Sequence, residues 1–119
     1  NTGQMADCLD RGDWGGYGGG DAPGLAFETV DWIHEKEIAG ICSDTWGIEV
    51  RPNETVDGTN QPWHWVVIPA IGISMGEIFY LKELAEDCDE DKVYEFFFNA
   101  PPLHIPGAAG SPINPQAIK

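Results

Sequence analysis

Basic side chains are scarce in this sequence of 119 residues. Six lysines and arginines stand against twenty aspartates and glutamates, and the formal net charge is −14. A surface of this charge repels a phosphate backbone, so nucleic-acid binding is not expected. Two explanations of the acidity stay open. The protein is adapted to a high-salt cytoplasm, where screening removes self-repulsion, or it is an ordinary acidic bacterial enzyme.

Long apolar runs and paired cysteines are also missing. No apolar run approaches the roughly 20 residues of a membrane helix, so no membrane association is expected. The three cysteines are widely spaced and form no C-x-x-C pair, which argues against a cysteine zinc site and predicts reduced thiols in the cytoplasm. Cys42 stands in an apolar run and is predicted to be a small core side chain.

Glycine, in contrast, is concentrated in residues 10–24. This stretch lacks both the G-K-[ST] of a phosphate loop and the G-x-G-x-x-G of a dinucleotide site. It is therefore predicted to be a flexible loop. The alternative is that Trp14 and Tyr17 help to cover a substrate pocket or a subunit contact.

Apolar spacing predicts an α/β arrangement of helices and short strands. A helix at 26–36 is followed by a strand at 38–43, which is the αβ half of a crossover unit. His34, near the end of that helix, is predicted to be a surface residue. The other predicted elements are a polar loop at 51–62, a helix at 78–87, and strands at 71–74, 93–99, 103–105 and 116–118.

The most informative segment runs from His64 to Glu77 and reads H-W-V-V-I-P-A-I-G-I-S-M-G-E. Neutral imidazole and carboxylate are standard ligands for zinc or manganese. Their separation along the chain excludes one helical face and suits a segment that folds back, predicted as a strand and turn. The alternative is that His64 is packed and hydrogen-bonded between two tryptophans, and that Glu77 is an ordinary acid at a helix start.

Two further positions are candidates for a supporting role. Asp44 follows the strand at 38–43, and ligands gather at the carboxyl ends of parallel strands. It could orient a ligand or the active-site loop, or it could close an Asx-turn. Ser111 is not in a G-x-S-x-G elbow, so it is predicted to support a turn beside the site rather than to act as a nucleophile.

These blocks, in their order along the chain, resemble a known family. The upstream segments P-G-L-A-F-E-T-V-D-W-I-H (23–34) and I-A-G-I-C-S-D-T-W-G (38–47), and the downstream segment A-P-P-L-H-I-P-G-A-A-G-S-P-I-N-P-Q-A-I (100–118), frame the His64–Glu77 run. Together they are similar to the C-terminal half of the cyclase family of metal-dependent hydrolases, which includes bacterial kynurenine formamidase and isatin hydrolase.

The resemblance implies a fold and a set of site residues. The fold would be α/β, a mixed sheet with flanking helices of the swivelling β/β/α type. Residues 1–119 would be the C-terminal part of a single domain that contains the loop at 10–24. In the family, the residues matching His64 and Glu77 face the metal site, Asp44 matches a D-T pair, and Ser111 matches a G-x-x-G-S-P turn.

The family's H-x-G-T-H-x-D-x-x-x-H motif, which supplies the main metal ligands and a catalytic histidine, is absent from these residues. No catalytic residue is therefore expected among them, and the chain is interpreted as a fragment, or as one piece of a cut protein, that is inactive alone.

The implied function is a cytoplasmic hydrolase with a divalent zinc or manganese ion. It would cleave an amide, lactam or ester bond of a small carbonyl compound. The enzyme would be homo-oligomeric or paired with a chain that carries the N-terminal half. The alternative is a non-catalytic binding or structural module that shares the fold.

Overall fold

A computed structural model of the protein describes residues 1–55 and 57–119, so that Val56 of the predicted loop lies outside the described residues. The chain divides into two compact units, unit 1 (Asn1–Lys82) and unit 2 (Glu83–Lys119). The helices are α1 (Gln4–Arg11), α2 (Thr29–Glu35), α3 (Pro62–Val66), which continues into a π-helical turn (Val67–Ile71), and α4 (Lys82–Asp91). The strands are β1 (Gly40–Cys42), β2 (Ser74–Gly76), β3 (Phe97–Asn99) and β4 (Gln116–Ile118). None of the described helices combines the length and the apolar character needed to cross a bilayer.

The strands form two separate pairs. In unit 1, β1 and β2 are parallel, with Ile41 opposite Met75. Parallel strands need a long crossover, and α3 lies in the crossover between β1 and β2. The sequence predicts the crossover helix at 26–36, before β1; α2 is found there, but among the described residues no strand ahead of α2 pairs with β1. In unit 2, β3 and β4 are antiparallel, with Phe98 opposite Ala117. The described residues thus form one parallel and one antiparallel pair of strands, with helices beside them. The mixed sheet of the swivelling type that the resemblance implies stays a prediction.

The main core of unit 1 is built around Trp63, which is completely buried. Its indole N–H donates to Thr29 Oγ1 at 3.0 Å, so burial of the ring leaves no unpaired donor. Fully burying an apolar side chain contributes about 1.5–3 kcal/mol. The packing therefore fixes α3 against α2. The other buried members of the cluster are Val30, Ile33, Ile48, Val67 and Ile73.

A second buried cluster holds the glycine-rich stretch. Met5, Cys8 and Tyr17 pack together with the partly buried Trp46. The Tyr17 hydroxyl donates to the backbone oxygen of Asp44 at 2.6 Å. Burial, and then the charge of Asp44, raise the pKa of Tyr17 to about 12. The predicted loop is therefore anchored by a buried tyrosine, and its role in covering a pocket stays a prediction.

The segment that follows the 51–62 loop is helical, and the predicted strand and turn is wrong. Pro62 begins α3 at a position where a missing N–H costs nothing. Pro69 cannot donate to the carbonyl of Trp65, and the chain widens into the π-helical turn, which ends at Gly72 with a φ of 82°. An apolar run without alternation does not distinguish a strand from a buried helix. The strand predicted at 71–74 therefore begins only at Ser74.

Other predictions differ in position or in burial. The helix predicted at 78–87 is observed at Lys82–Asp91, because the backbone N–H groups of Ile78 and Phe79 donate to carbonyls that follow β1. The predicted strand at 93–99 is reduced to Phe97–Asn99, that at 116–118 is confirmed, and 103–105 is not a strand. Cys42 is exposed, which corrects its predicted core position, and His34 is exposed as predicted.

Candidate metal site

His64 and Glu77 lie together in unit 1. His64 is on α3, Glu77 is the first residue after β2, and the distance from His64 Nε2 to Glu77 Oε1 is 3.2 Å. The His64 side chain is 16% exposed and that of Glu77 is 35% exposed, so the pair opens toward solvent on the glutamate side. The chain therefore folds back between these two residues, as the sequence predicts.

The position of Glu77 is set by the carboxyl edge of the parallel pair. The backbone N–H of Ile78 donates to the carbonyl of Thr45 at 3.1 Å, and that of Phe79 donates to Ser43 at 3.0 Å. These two acceptors belong to the segment that follows β1. The backbone beside Glu77 is thus held by the neighbouring strand's extension, at the edge where parallel sheets commonly place ligands.

Glu49 is a third member of the site that sequence reasoning missed. Its side chain is 2% exposed. Its carboxylate accepts hydrogen bonds from the backbone N–H of Trp63 at 3.1 Å and from that of His64 at 3.3 Å, and it contacts His64 Nδ1. The same carboxylate therefore satisfies the first free N–H groups of α3 and holds the imidazole ring.

One signal in the sequence could have found Glu49. It stands between Ile48 and Val50, ahead of the polar loop. Glutamate is almost never fully buried unless it is paired. A glutamate between two β-branched residues is therefore expected to be paired if it is buried. The sequence alone does not identify His64 as its partner.

The His64 ring lies between two carboxylates, and its pKa reflects them. The hydrogen bond to Glu77 raises the pKa of His64, partial burial opposes the increase, and the hydrogen bond and charge of Glu49 add to it. The surroundings of the ring thus favour positive charge, whether it is carried by a proton or by a bound cation.

The donor atoms fit two ligands of one divalent ion. Adjacent ligands with metal bonds of about 2.0–2.2 Å lie about 3.0–3.4 Å apart in tetrahedral or octahedral geometry. The separation of 3.2 Å between His64 Nε2 and Glu77 Oε1 falls within this range. Across residues 1–55 and 57–119, no group of three or more His, Cys, Asp or Glu side chains is arranged to hold a metal. The described part of the chain thus contributes two candidate ligands.

Asp44 is buried, at 1% exposure, and its carboxylate faces the start of α1. It accepts hydrogen bonds from the backbone N–H groups of Thr2 at 2.6 Å, Gly3 at 2.9 Å and Met5 at 3.4 Å. Although burial opposes ionisation, the bonds from Thr2 and Met5 lower the pKa of Asp44. These partners are distant in sequence, unlike those of an Asx-turn. Asp44 therefore caps α1, and its predicted role in orienting a ligand stays a prediction.

Ser111 lies in unit 2. Its hydroxyl accepts a hydrogen bond from the backbone N–H of Leu103 at 3.0 Å, which braces the turn that contains it. The predicted support of the site by Ser111 stays a prediction.

A cavity of about 510 Å³ in unit 1 is a separate feature. It is lined by residues 19–21, 51–53 and 57–61, and the guanidinium of Arg51 at its edge lies 3.9 Å over the ring of Trp46. Neither His64 nor Glu77 lines it. The assignment of the candidate metal site therefore rests on side-chain geometry and not on this cavity.

Comparison with solved structures finds a similar chain, described as a novel cyclase. The two are 43% identical, with a TM-score of 0.73, over 83% of this chain and 31% of that chain. This chain thus spans less than a third of the length of that cyclase. No family model matches the chain, and no curated protein does. The similarity supports the cyclase family, as the resemblance in the sequence implies.

Proposed function

We propose that this chain is part of a metal-dependent hydrolase of the cyclase type, in which His64 and Glu77 bind one divalent zinc or manganese ion. One observation carries the proposal. Two ligand-type side chains 13 residues apart converge to 3.2 Å, in a chain 43% identical to a cyclase. The proposal also includes the sequence resemblance to kynurenine formamidase and isatin hydrolase.

The substrate class is a small carbonyl compound with an amide, lactam or ester bond. When bound, the ion supplies Lewis acidity to the substrate carbonyl and to the attacking water. His64 presents Nε2, and Glu77 contributes a negative charge next to it. The general base, a histidine of the H-x-G-T-H-x-D motif, is not among these residues. The 119-residue chain alone is therefore expected to be inactive, and a second copy or a chain with the motif is the expected partner.

The test measures metal content and turnover in the protein as its gene encodes it. Bound zinc and manganese are quantified by mass spectrometry, and hydrolysis is followed with an N-formyl anilide, a lactam and a lactone. His64→Ala and Glu77→Ala are compared with His34→Ala, because His34 is an exposed histidine of unit 1 outside the site. We expect metal content or turnover to fall about 10–100-fold in the first two variants and to be unchanged in the third.

Two results would count against the proposal. Wild-type metal content and turnover in both His64→Ala and Glu77→Ala would remove these residues from the site. Metal binding without hydrolysis of any of the three substrates would favour the alternative, a non-catalytic binding module that shares the fold.

A further inference from the structure

Glu49 is the most deeply buried charged group in contact with His64. Its neighbours Ile48 and Trp63 are 1% and 0% exposed, so water does not solvate this carboxylate from their side. Its donors are the backbone N–H groups of Trp63 and His64 and the ring nitrogen Nδ1 of His64. A buried carboxylate is tolerated only with such donors, and each of them is therefore needed.

The two carboxylates compete for a single proton on the neutral ring. Neutral imidazole has one N–H donor and one lone pair, on opposite nitrogens. Glu49 faces Nδ1 and Glu77 faces Nε2. Glu77, at 35% exposure, is accessible to water, whereas Glu49, at 2%, is not. An unpaired buried acceptor costs about 1–3 kcal/mol, and more when it is charged, so the proton is favoured on Nδ1.

The backbone that carries Glu49 is itself fixed. The carbonyl of Ile48 accepts a hydrogen bond from Leu25 N–H at 2.9 Å, and Val50 N–H donates to the carbonyl of Leu25 at 3.0 Å. Gly24 approaches so closely that a Cβ there would lie 2.3 Å from the Ile48 oxygen. Backbone hydrogen bonds on both sides of Glu49 thus hold the segment that places its carboxylate against His64.

We infer that Glu49 is the positioning residue of the site. It holds His64 as the Nδ1–H tautomer and turns the ring so that the Nε2 lone pair faces a divalent cation beside Glu77. A carboxylate behind a metal-binding histidine raises the basicity of the ligand and fixes its orientation. The part of this inference that concerns a bound cation rests on the proposed metal function. The tautomer of His64 is a property of the metal-free chain and can be measured without metal.

The test combines two measurements on the protein as its gene encodes it. Nitrogen-15 NMR reports the tautomer of His64 without metal, at a pH where the ring is neutral, and calorimetry reports the affinity for Zn²⁺. Glu49→Gln is the main variant, because an amide offers one acceptor oxygen where the carboxylate accepts three hydrogen bonds. Glu28→Gln is the matched control, because Glu28 is a glutamate of unit 1 whose carboxylate accepts a hydrogen bond from Thr55 Oγ1 at 2.8 Å and not from His64.

We expect the Nδ1–H tautomer in the wild-type chain and in Glu28→Gln, and a loss of this preference in Glu49→Gln. The Zn²⁺ affinity should fall about 10–100-fold in Glu49→Gln only. An Nε2–H tautomer in the wild type would overturn the inference, even where Glu49→Gln fails to fold. So would wild-type tautomer and affinity in Glu49→Gln, or an equal loss in Glu28→Gln. If the wild-type chain binds no Zn²⁺, the proposed function fails, and the wild-type tautomer still decides the role of Glu49.

Discussion

Unit 1 and unit 2 differ in where they place apolar side chains. Unit 1 contains both clusters of buried apolar residues, around Trp63 and around Tyr17. In unit 2 the buried apolar residue is Cys88, and the aromatic residues are exposed to between 37% and 67% of their surface. These are Tyr94, Phe96, Phe97 and Phe98. A two-stranded sheet such as β3–β4 is by itself only marginally stable.

This difference explains where the candidate chemistry lies. The buried carboxylates of unit 1, Asp44 and Glu49, need donors at fixed positions, and a packed core supplies them. The carboxylates of α4 instead pair with Lys92 and Lys119 near the surface, where ion pairs contribute about 0–1 kcal/mol. A site that orients a histidine between two carboxylates is therefore expected in unit 1 and not in unit 2.

The largest expected effect comes from truncating the core of unit 1. Trp63→Ala should lower the free energy of unfolding by about 3–5 kcal/mol, because a fully buried indole is lost and a cavity remains. Phe97→Ala, at a side chain 67% exposed in unit 2, should change it by about 0.5 kcal/mol or less. Urea unfolding measures both. An equal loss of unfolding free energy in the two variants would contradict the difference in side-chain burial between unit 1 and unit 2.

A smaller effect is expected at Gly24. Gly24→Ala places a Cβ 2.3 Å from the oxygen of Ile48 and 2.4 Å from the carbonyl carbon of Glu49, and neither backbone atom can move freely. We expect a loss of about 1–3 kcal/mol and weaker Zn²⁺ binding, since Glu49 is displaced. Gly19→Ala is the control, because no atom lies within 4 Å of its added Cβ. An equal loss of stability in Gly24→Ala and Gly19→Ala would contradict the close approach of Gly24 to the backbone of Ile48 and Glu49.

The free energy of unfolding should depend on pH through the ionisation of Asp44. The folded-state pKa of Asp44 lies below its unfolded value of about 3.9. Its contribution is therefore fully present above that value and is lost as the pH falls through the folded-state pKa. Asp44→Asn should cost about 1 kcal/mol at neutral pH, and the difference from wild type should shrink in acid. Urea unfolding at a series of pH values checks this, and a difference independent of pH would contradict it.

The smallest effect concerns charge crowding in α4, where Glu86 and Glu90 are one helical turn apart. Like charges at this spacing destabilise a helix by about 0.2–0.5 kcal/mol. Glu86→Gln should raise the melting temperature at 0.1 M sodium chloride and have little effect at 1 M, since the Debye length falls from about 10 Å to about 3 Å. Glu54→Gln, in an exposed loop, should be close to neutral. The wild-type melting temperature should also rise with salt, and a flat response would remove the high-salt explanation of the acidity.

Much of unit 1 follows from local sequence. The apolar spacing before His34 predicts α2, and the short apolar run after it predicts β1. The meeting of His64 with Glu77 was expected from the residue types and from the cyclase resemblance, and the geometry confirms that they converge. Local pattern was sufficient for α2 because its apolar spacing places Val30 and Ile33 on one buried face.

Contacts between distant residues could not be predicted in the same way. Helix α1 begins where Asp44, about 40 positions away, accepts the backbone N–H groups of Gly3 and Met5, and no local signal marks that partner. The contact of Glu49 with His64 depends on α3 starting at Pro62, whereas the apolar run that follows Pro62 predicts a strand. The missed residues are those whose role is set by tertiary contacts rather than by periodicity.

The most direct measurement is anomalous diffraction from crystals grown with manganese or zinc chloride. We expect an anomalous peak at about 2.0–2.2 Å from both His64 Nε2 and a Glu77 carboxylate oxygen, with the Glu49 carboxylate still in contact with His64 Nδ1. No peak at this pair, or a peak only at the carboxylates of α4, would contradict the assignment of His64 and Glu77 as metal ligands.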